Sequence, residues 1–211
     1  MLEHGTADEG SWLLTAAIDA QNAASPPWQR DPRTATTALG QGLRAMHDAL
    51  PVDECPFTWS AEERLANIRR RVASGELTRI EPSDWNEEFS SLPVANAVAA
   101  LSEIPLEDLV VCHGDACVPN SLIDDDGHCV AHVDLGNLGV ADRWADLAVA
   151  SWSTVWNFGL GWETNVFSSY GIEPEEEKIR YYRLLWELGS LGLCSQQGSP
   201  AREGPGVPRH L

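Results

Sequence analysis

The sequence predicts an α+β chain, mainly helical, with small β-hairpins, on the strength of three observations. Apolar residues recur with helical spacing at Leu39, Leu43, Met46 and Leu50. Ser60 followed by Glu63 forms a capping box ahead of a second periodic run. Between residues 109 and 134, short apolar runs alternate with polar turns, the pattern of paired strands.

Taken in order, residues 1–18 read as a hairpin: "MLEH", the turn "GTADEG", then "SWLLTAAI". The proline-closed stretch 19–32 reads as loop. A helix follows from Thr34, its apolar stripe running through Leu39, Leu43, Met46 and Leu50, until "PVDECPFTW" breaks it. The capped run opening at Ser60 forms the next helix, with Gly75 as its stop. Residues 81–91 are polar and acidic, and Pro93 stands where a short helix begins. "LEDLVVCH" rises into a buried strand, and "NSLIDDDGHCVAHVDLG" reads as strand, Asp-Asp-Gly turn, strand. Residues 141–159 form a long apolar-faced helix and residues 162–171 a shorter one. The run from Pro174 is the last helix, with acids in its first turn where the helix dipole favours them. Residues 189–211, rich in Gly, Pro and Ser, read as a disordered tail. The tryptophans between 144 and 162 are expected mainly in the helical core.

Composition narrows the function classes. No apolar run approaches the roughly 20 residues that span a bilayer, and the first residues lack an export signal. Five cysteines at unpaired spacing are read as reduced thiols in a cytoplasmic protein. A formal charge of −18 argues against nucleic acid and anionic membranes, which call for a basic footprint, and permits attraction of a cationic ligand. Nothing in the sequence sets the oligomeric state.

The stretch "VVCHGDACVPNSLIDDDGHCVAHVDLGNLG" (110–139) carries the chemistry. His113-Gly114-Asp115, Asn120 five residues on, and Asp134-Leu135-Gly136 beyond the hairpin reproduce the order and spacing of a kinase site: base, metal-binding amide, metal-binding carboxylate. Mg2+ prefers oxygen ligands, which suits Asn120 and Asp134. Asp115, off the metal, is left to accept a hydroxyl proton. Gly114 and Gly136 permit tight loops beside a ligand. Each aspartate alone is more often a turn residue; the joint pattern favours the kinase reading. His113, His128, His132, Cys112, Cys117 and Cys129 cluster in sequence, but packing in the core or at the surface is the better reading of these side chains, so a metal hydrolase is the poorer one.

"VVCHGDACVPNSLI" and "HVDLGNLGVADRWADLA" resemble the catalytic core of the aminoglycoside phosphotransferases, 3′ and 3″ types. "LRAMHDALPVDECPF" (43–57) and "KIRYYRLLWEL" resemble two of that family's helices, and the likeness runs over about residues 1–188. It implies a protein-kinase-like fold, represented mainly by the helical C-terminal lobe (19–188), with residues 1–18 as the remnant of an N-lobe hairpin and hinge. It implies ATP (or GTP) and Mg2+ as cofactors and a small cationic aminoglycoside as substrate. Asp115 would be the base, Asn120 and Asp134 the Mg2+ ligands, and the backbone near Ala16, Ala17 and Ile18 the adenine hinge. Asp84, Glu87, Glu88 and Glu187 would face the cationic substrate, a solvated helix face being the alternative for these acids. Asp142 and Asp146 are expected to be structural, as a helix cap and a loop brace.

The sequence departs from that family in three places. Only the first dozen or so residues precede the hinge, with no Gly-rich loop, and Lys178 is the one lysine in the chain. Asn137 stands where 3′-type relatives carry arginine, and Trp186 where an acid is usual. The expectation is a truncated aminoglycoside kinase with impaired transfer. The alternatives are a fragment that only binds cationic aminoglycosides, and a kinase of another small hydroxylated substrate.

Overall fold

The structure is a computed structural model that describes residues 2–7, 10–77, 88–89 and 91–190. Strands β1 (Glu3–Ala7) and β2 (Gly10–Leu14) pair antiparallel, so the expected hairpin forms, with Gly5, Thr6, Ala7 and Gly10 of "GTADEG" in the strands. The stretch read as loop over 19–32 contains two elements instead. Strand β3 (Gln21–Asn22) lies against a later strand, and the Pro-Pro pair starts a short helix α1 (Pro26–Arg30). Proline is pre-set for the first helical turn, so a pair read as a breaker acts here as a start.

Helix α2 (Pro32–Ala49) opens where the Asp31 side chain accepts the Thr34 N–H at 3.2 Å. Its stripe turns out rotated. Leu39 and Leu43 are buried as expected, but the buried face continues to His47, leaving Met46 half-buried and Leu50 exposed. Gly40 faces helix α6 (Glu163–Tyr170): a Cβ there would lie 2.5 Å from the Val166 carbonyl oxygen, so only glycine lets the two backbones close.

Helix α3 (Ala61–Ala73) begins as the capping serine predicts, with Ser60 Oγ accepting the Glu63 N–H at 3.3 Å. It ends on Gly75 at φ 75°, with Gly75 N–H bonded to Val72 O and Glu76 N–H to Arg71 O, the paired bonds of a left-handed helix stop. Helix α4 (Val94–Ala100) starts beside Pro93.

The expected strand, Asp-Asp-Gly turn and strand form over 121–132, while strand β4 (Leu109–Cys112) pairs with β7 (Gly139–Asp142), whose last two residues lie in the stretch read as helix from residue 141. Strand β5 (Ser121–Ile123) joins β6 (Cys129–His132) across the Asp-Asp-Gly turn and β3 on its other side. Val140 also bonds to the chain at 57–59, accepting the Trp59 N–H and donating to Phe57 O, each at 3.0 Å. The long helix therefore starts later, as α5 (Trp144–Phe158).

Helix α7 (Glu176–Ser190) runs past the expected tail boundary at 189; residues 191–211 lie outside the described residues. The core joins Leu39 and Leu43, Leu65 and Ile68, Leu147 and Ala148, and Ile179, Tyr182 and Leu185. Of the tryptophans between 144 and 162, Trp144 and Trp152 are buried, Trp162 is half-buried and Trp156 is exposed. Among the described residues, no helix is long and apolar enough to cross a membrane.

Candidate active site

Strand β4 delivers Cys112 and then His113 to the end of the β4–β7 ribbon, where the chain must turn sharply. Gly114 makes that turn at φ 84°, and a Cβ there would meet the Asn137 carbonyl oxygen at 2.2 Å. The turn therefore requires glycine twice over, for its dihedral and for its neighbour. The backbone N–H groups of His113 and Gly114 both point inward to the fully buried Asp146, at 2.6 Å and 2.9 Å from its two carboxylate oxygens.

Asp115 stands on the outer side of this turn, half-buried. Its main-chain oxygen accepts the Asn120 Nδ2–H at 2.9 Å, and the same amide nitrogen lies 3.4 Å from its carboxylate Oδ2. Cys117 donates its S–H to Asp115 Oδ1 at 3.1 Å. Burial, and then the Asp115 charge and hydrogen bond, push the Cys117 thiol well up, so it stays a neutral donor. Asn120 ends a single 3-10 turn (Val118–Asn120), fixed from below by Ser153 Oγ of α5, which accepts the Val118 N–H at 2.9 Å.

Asp134 follows β6 in the left-handed region at φ 62°. It is the one described non-glycine residue there, in a conformation Asp tolerates better than most. Its neighbour Val133 ties it to the loop twice: Val133 N–H donates to Asn120 O, and Val133 O accepts from His113 Nε2, each at 2.9 Å. Because His113 Nδ1 accepts the Asp115 N–H at 3.2 Å, the His113 hydrogen resides on Nε2. One buried imidazole thus spans the Asp115 loop and the Asp134 turn. Asp115 and Asn120 are in contact, and the bonds of Val133 tie the Asp134 turn to Asn120 and His113.

The other expected site residues are placed as follows. Ala16, Ala17 and Ile18 form an exposed stretch in which Ile18 O accepts the Ala20 N–H at 3.0 Å. Among the described residues, no hydrogen bond links it to 115, 120 or 134. Glu88 is exposed and lies 3.6 Å from Arg183, which also reaches Glu163 at 3.4 Å. Glu187 is 1 % exposed within α7. Asp84 and Glu87 lie outside the described residues.

Asp142 and Asp146 take the structural roles expected of them. Asp142 Oδ1 accepts the Trp144 N–H at 2.9 Å at the start of α5, and Oδ2 pairs with Lys178 at 3.0 Å. The chain's only lysine is thereby committed inside the lobe. Burial alone would raise the Asp146 carboxyl, but the His47 hydrogen bond, with those of the Gly114 and His113 N–H groups, outweighs it and holds it below the usual range. His47 was missed at the sequence level. Steps of four from Leu39 through Leu43 reach it, but a histidine does not register in an apolar count.

The model of the phosphotransferase enzyme family matches residues 2–182. The aminoglycoside 3′-phosphotransferase of Streptomyces fradiae is 35% identical over 199 residues, covering 89% of this chain and 72% of the relative. The crystal structure of a type VIII aminoglycoside 3′-phosphotransferase superposes with a TM-score of 0.73 at 31% identity, over 89% of this chain and 72% of that one. A 3″-type aminoglycoside phosphotransferase of Streptomyces rimosus, solved with ADP and streptomycin, gives a TM-score of 0.69 at 28% identity, over 89% and 74%. The loop of Asp115 and Asn120, the Asp134 turn tied to it and this run of matches lead to one conclusion: the chain belongs to the phosphotransferase enzyme family.

Proposed function

We propose that this protein transfers the γ-phosphoryl group of ATP (or GTP) to a hydroxyl of an aminoglycoside, an antibiotic-inactivating reaction of the cytoplasm. The observation that carries the reading is the locking of Asp115, Asn120 and the Asp134 turn into one unit by His113 and Val133. A homologue holding ADP and streptomycin supports both the nucleotide and the substrate class. The cysteines among the described residues are free thiols, as a reducing compartment keeps them.

The donor chemistry fits Mg2+. The Asn120 amide spends its Nδ2 on Asp115, which leaves Oδ1 as the amide's remaining polar atom, and Asp134 presents an exposed carboxylate; both are hard oxygen donors. When bound, Mg2+ would neutralise charge on the transferring phosphoryl group. Asp115 orients the substrate hydroxyl and accepts its proton as the oxygen bonds to the γ-phosphorus and the bond to the ADP leaving group breaks. Cys117 holds Asp115 Oδ1, directing the carboxylate. Ala16 to Ile18 are assigned to the adenine hinge, with residues 1–18 as that hinge segment and 19–188 as the catalytic lobe. Asp84, Glu87, Glu88 and Glu187 are assigned to the cationic substrate, for which a net charge of −18 supplies long-range attraction.

A second reading, capture of the aminoglycoside without transfer, is favoured by the commitment of Lys178 to Asp142. Mass spectrometry of kanamycin-like and streptomycin-like substrates incubated with protein, ATP and Mg2+ separates the two. A phosphorylated product supports transfer; tight, salt-sensitive binding with no product supports capture.

A further inference from the structure

The loop that presents Asp115 is held from beneath by buried polar groups outside the kinase motif. Asp146 receives the His113 and Gly114 N–H groups on one side, and His47 Nε2 lies 3.0 Å from its Oδ2 on the other. His47 Nδ1 is 2.9 Å from the Tyr170 hydroxyl, which Arg143 Nη1 approaches at 3.3 Å. Arg143 in turn pairs with Asp108 at 2.8 Å. His47 and Tyr170 are buried and come from α2 and α6, 123 residues apart.

With a neutral His47, the donors and acceptors admit one direction along this chain. A guanidinium only donates, so the Tyr170 oxygen accepts from Arg143, and its own hydrogen points at the acceptor Nδ1 of the neutral His47 ring. A carboxylate only accepts, so His47 carries its hydrogen on Nε2 and donates it to Asp146. The sense is Arg143 to Tyr170 to His47 to Asp146, where the two loop amides meet it from the opposite side. Without the Tyr170 hydroxyl, the imidazole loses the partner that keeps its hydrogen on the Asp146 side.

We propose that Tyr170 and His47 are positioning residues for phosphoryl transfer: the Tyr170 hydroxyl selects the His47 tautomer that holds Asp146, and Asp146 holds the loop carrying Asp115. The proposal rests on the transfer reading above. It differs from simple core packing, because a packing role would show in melting temperature and leave the loop amides and the turnover of folded enzyme unchanged.

The test is a double-mutant cycle on the full chain with two readouts: kcat and KM well below the melting temperature, and hydrogen exchange of the His113 and Gly114 amides. Tyr170→Phe keeps the ring and its packing and is expected to lower kcat by about 3–10-fold; His47→Ala is expected to lower it by about 10–100-fold, with KM within about twofold in each. In the His47→Ala background, Tyr170→Phe should add nothing further. His47→Gln, whose amide can donate to Asp146 and accept from Tyr170, should restore most of the turnover. Both loop amides should exchange faster in His47→Ala and in Tyr170→Phe. Unchanged kcat in the two single variants, additive losses in the double variant, or unchanged amide protection would each overturn the relay. Absence of transfer in the parent protein counts against the proposed function instead, and amide exchange still decides the relay.

Discussion

Asp115 and Asp134 lie on the outer rim of the 113–136 loop, while Asp142 and Asp146 lie beneath it, and the same side chain is held in opposite ways in the two places. Below the loop each carboxylate is fully buried and its oxygens are filled: Asp142 by Trp144 N–H and Lys178, Asp146 by two loop amides and His47. On the rim, Asp134 is exposed and Asp115 half-buried, held mainly through backbone bonds and one thiol. A carboxylate whose lone pairs are spent on N–H groups is architecture. One left with oxygen facing water can take a proton or a metal ion.

The contrast can be broken at either level. On the rim, Asp115→Asn should lower kcat by about 10²–10⁴-fold, the usual contribution of a positioned base, with the fold intact by circular dichroism. Beneath the loop, Asp146→Ala should act on stability first. It strands two inward-facing amides and His47, and loss of one partner from a buried pair removes about 3–5 kcal/mol, measurable by urea unfolding.

The same carboxylate sharpens the comparison through pH. The Asp146 carboxyl is held below its ordinary value of 3.8, so its stabilisation is complete above that value and is lost as pH falls through the folded-state value. Stability measured against pH for the parent minus that for Asp146→Asn should therefore be flat above about pH 5 and fall below it. The smallest effect lies away from both regions. Ser60→Ala removes the α3 cap bond and should cost about 1 kcal/mol while leaving kcat unchanged.

The loop over 113–136 stood out in the sequence and its supports only in part. The roles proposed for Asp115, Asn120 and Asp134 call for fixed intervals around one short hairpin, and that spacing is local enough to read. Asp142 and Asp146 could be read as cap and brace from their place ahead of an apolar helix. Their partners could not. His47 and Lys178 reach these carboxylates, and Tyr170 reaches His47, from helices distant in sequence, and local periodicity carries no trace of such contacts. Strand β7 was hidden for a related reason: its partner β4 ends 27 residues earlier, and its own apolar residues run directly into α5. The 1 % exposure of Glu187 was likewise not legible, since its place near the end of a helix carries no mark of what packs over it.

The division of labour on the rim is tested most directly by Mn2+ binding in the presence of a non-hydrolysable ATP analogue, followed by water-proton relaxation. The account predicts that Asn120→Ala and Asp134→Ala each weaken Mn2+ binding by about tenfold or more, while Asp115→Asn leaves it within about twofold. Equal affinity in all four proteins, or a loss confined to Asp115→Asn, would contradict it.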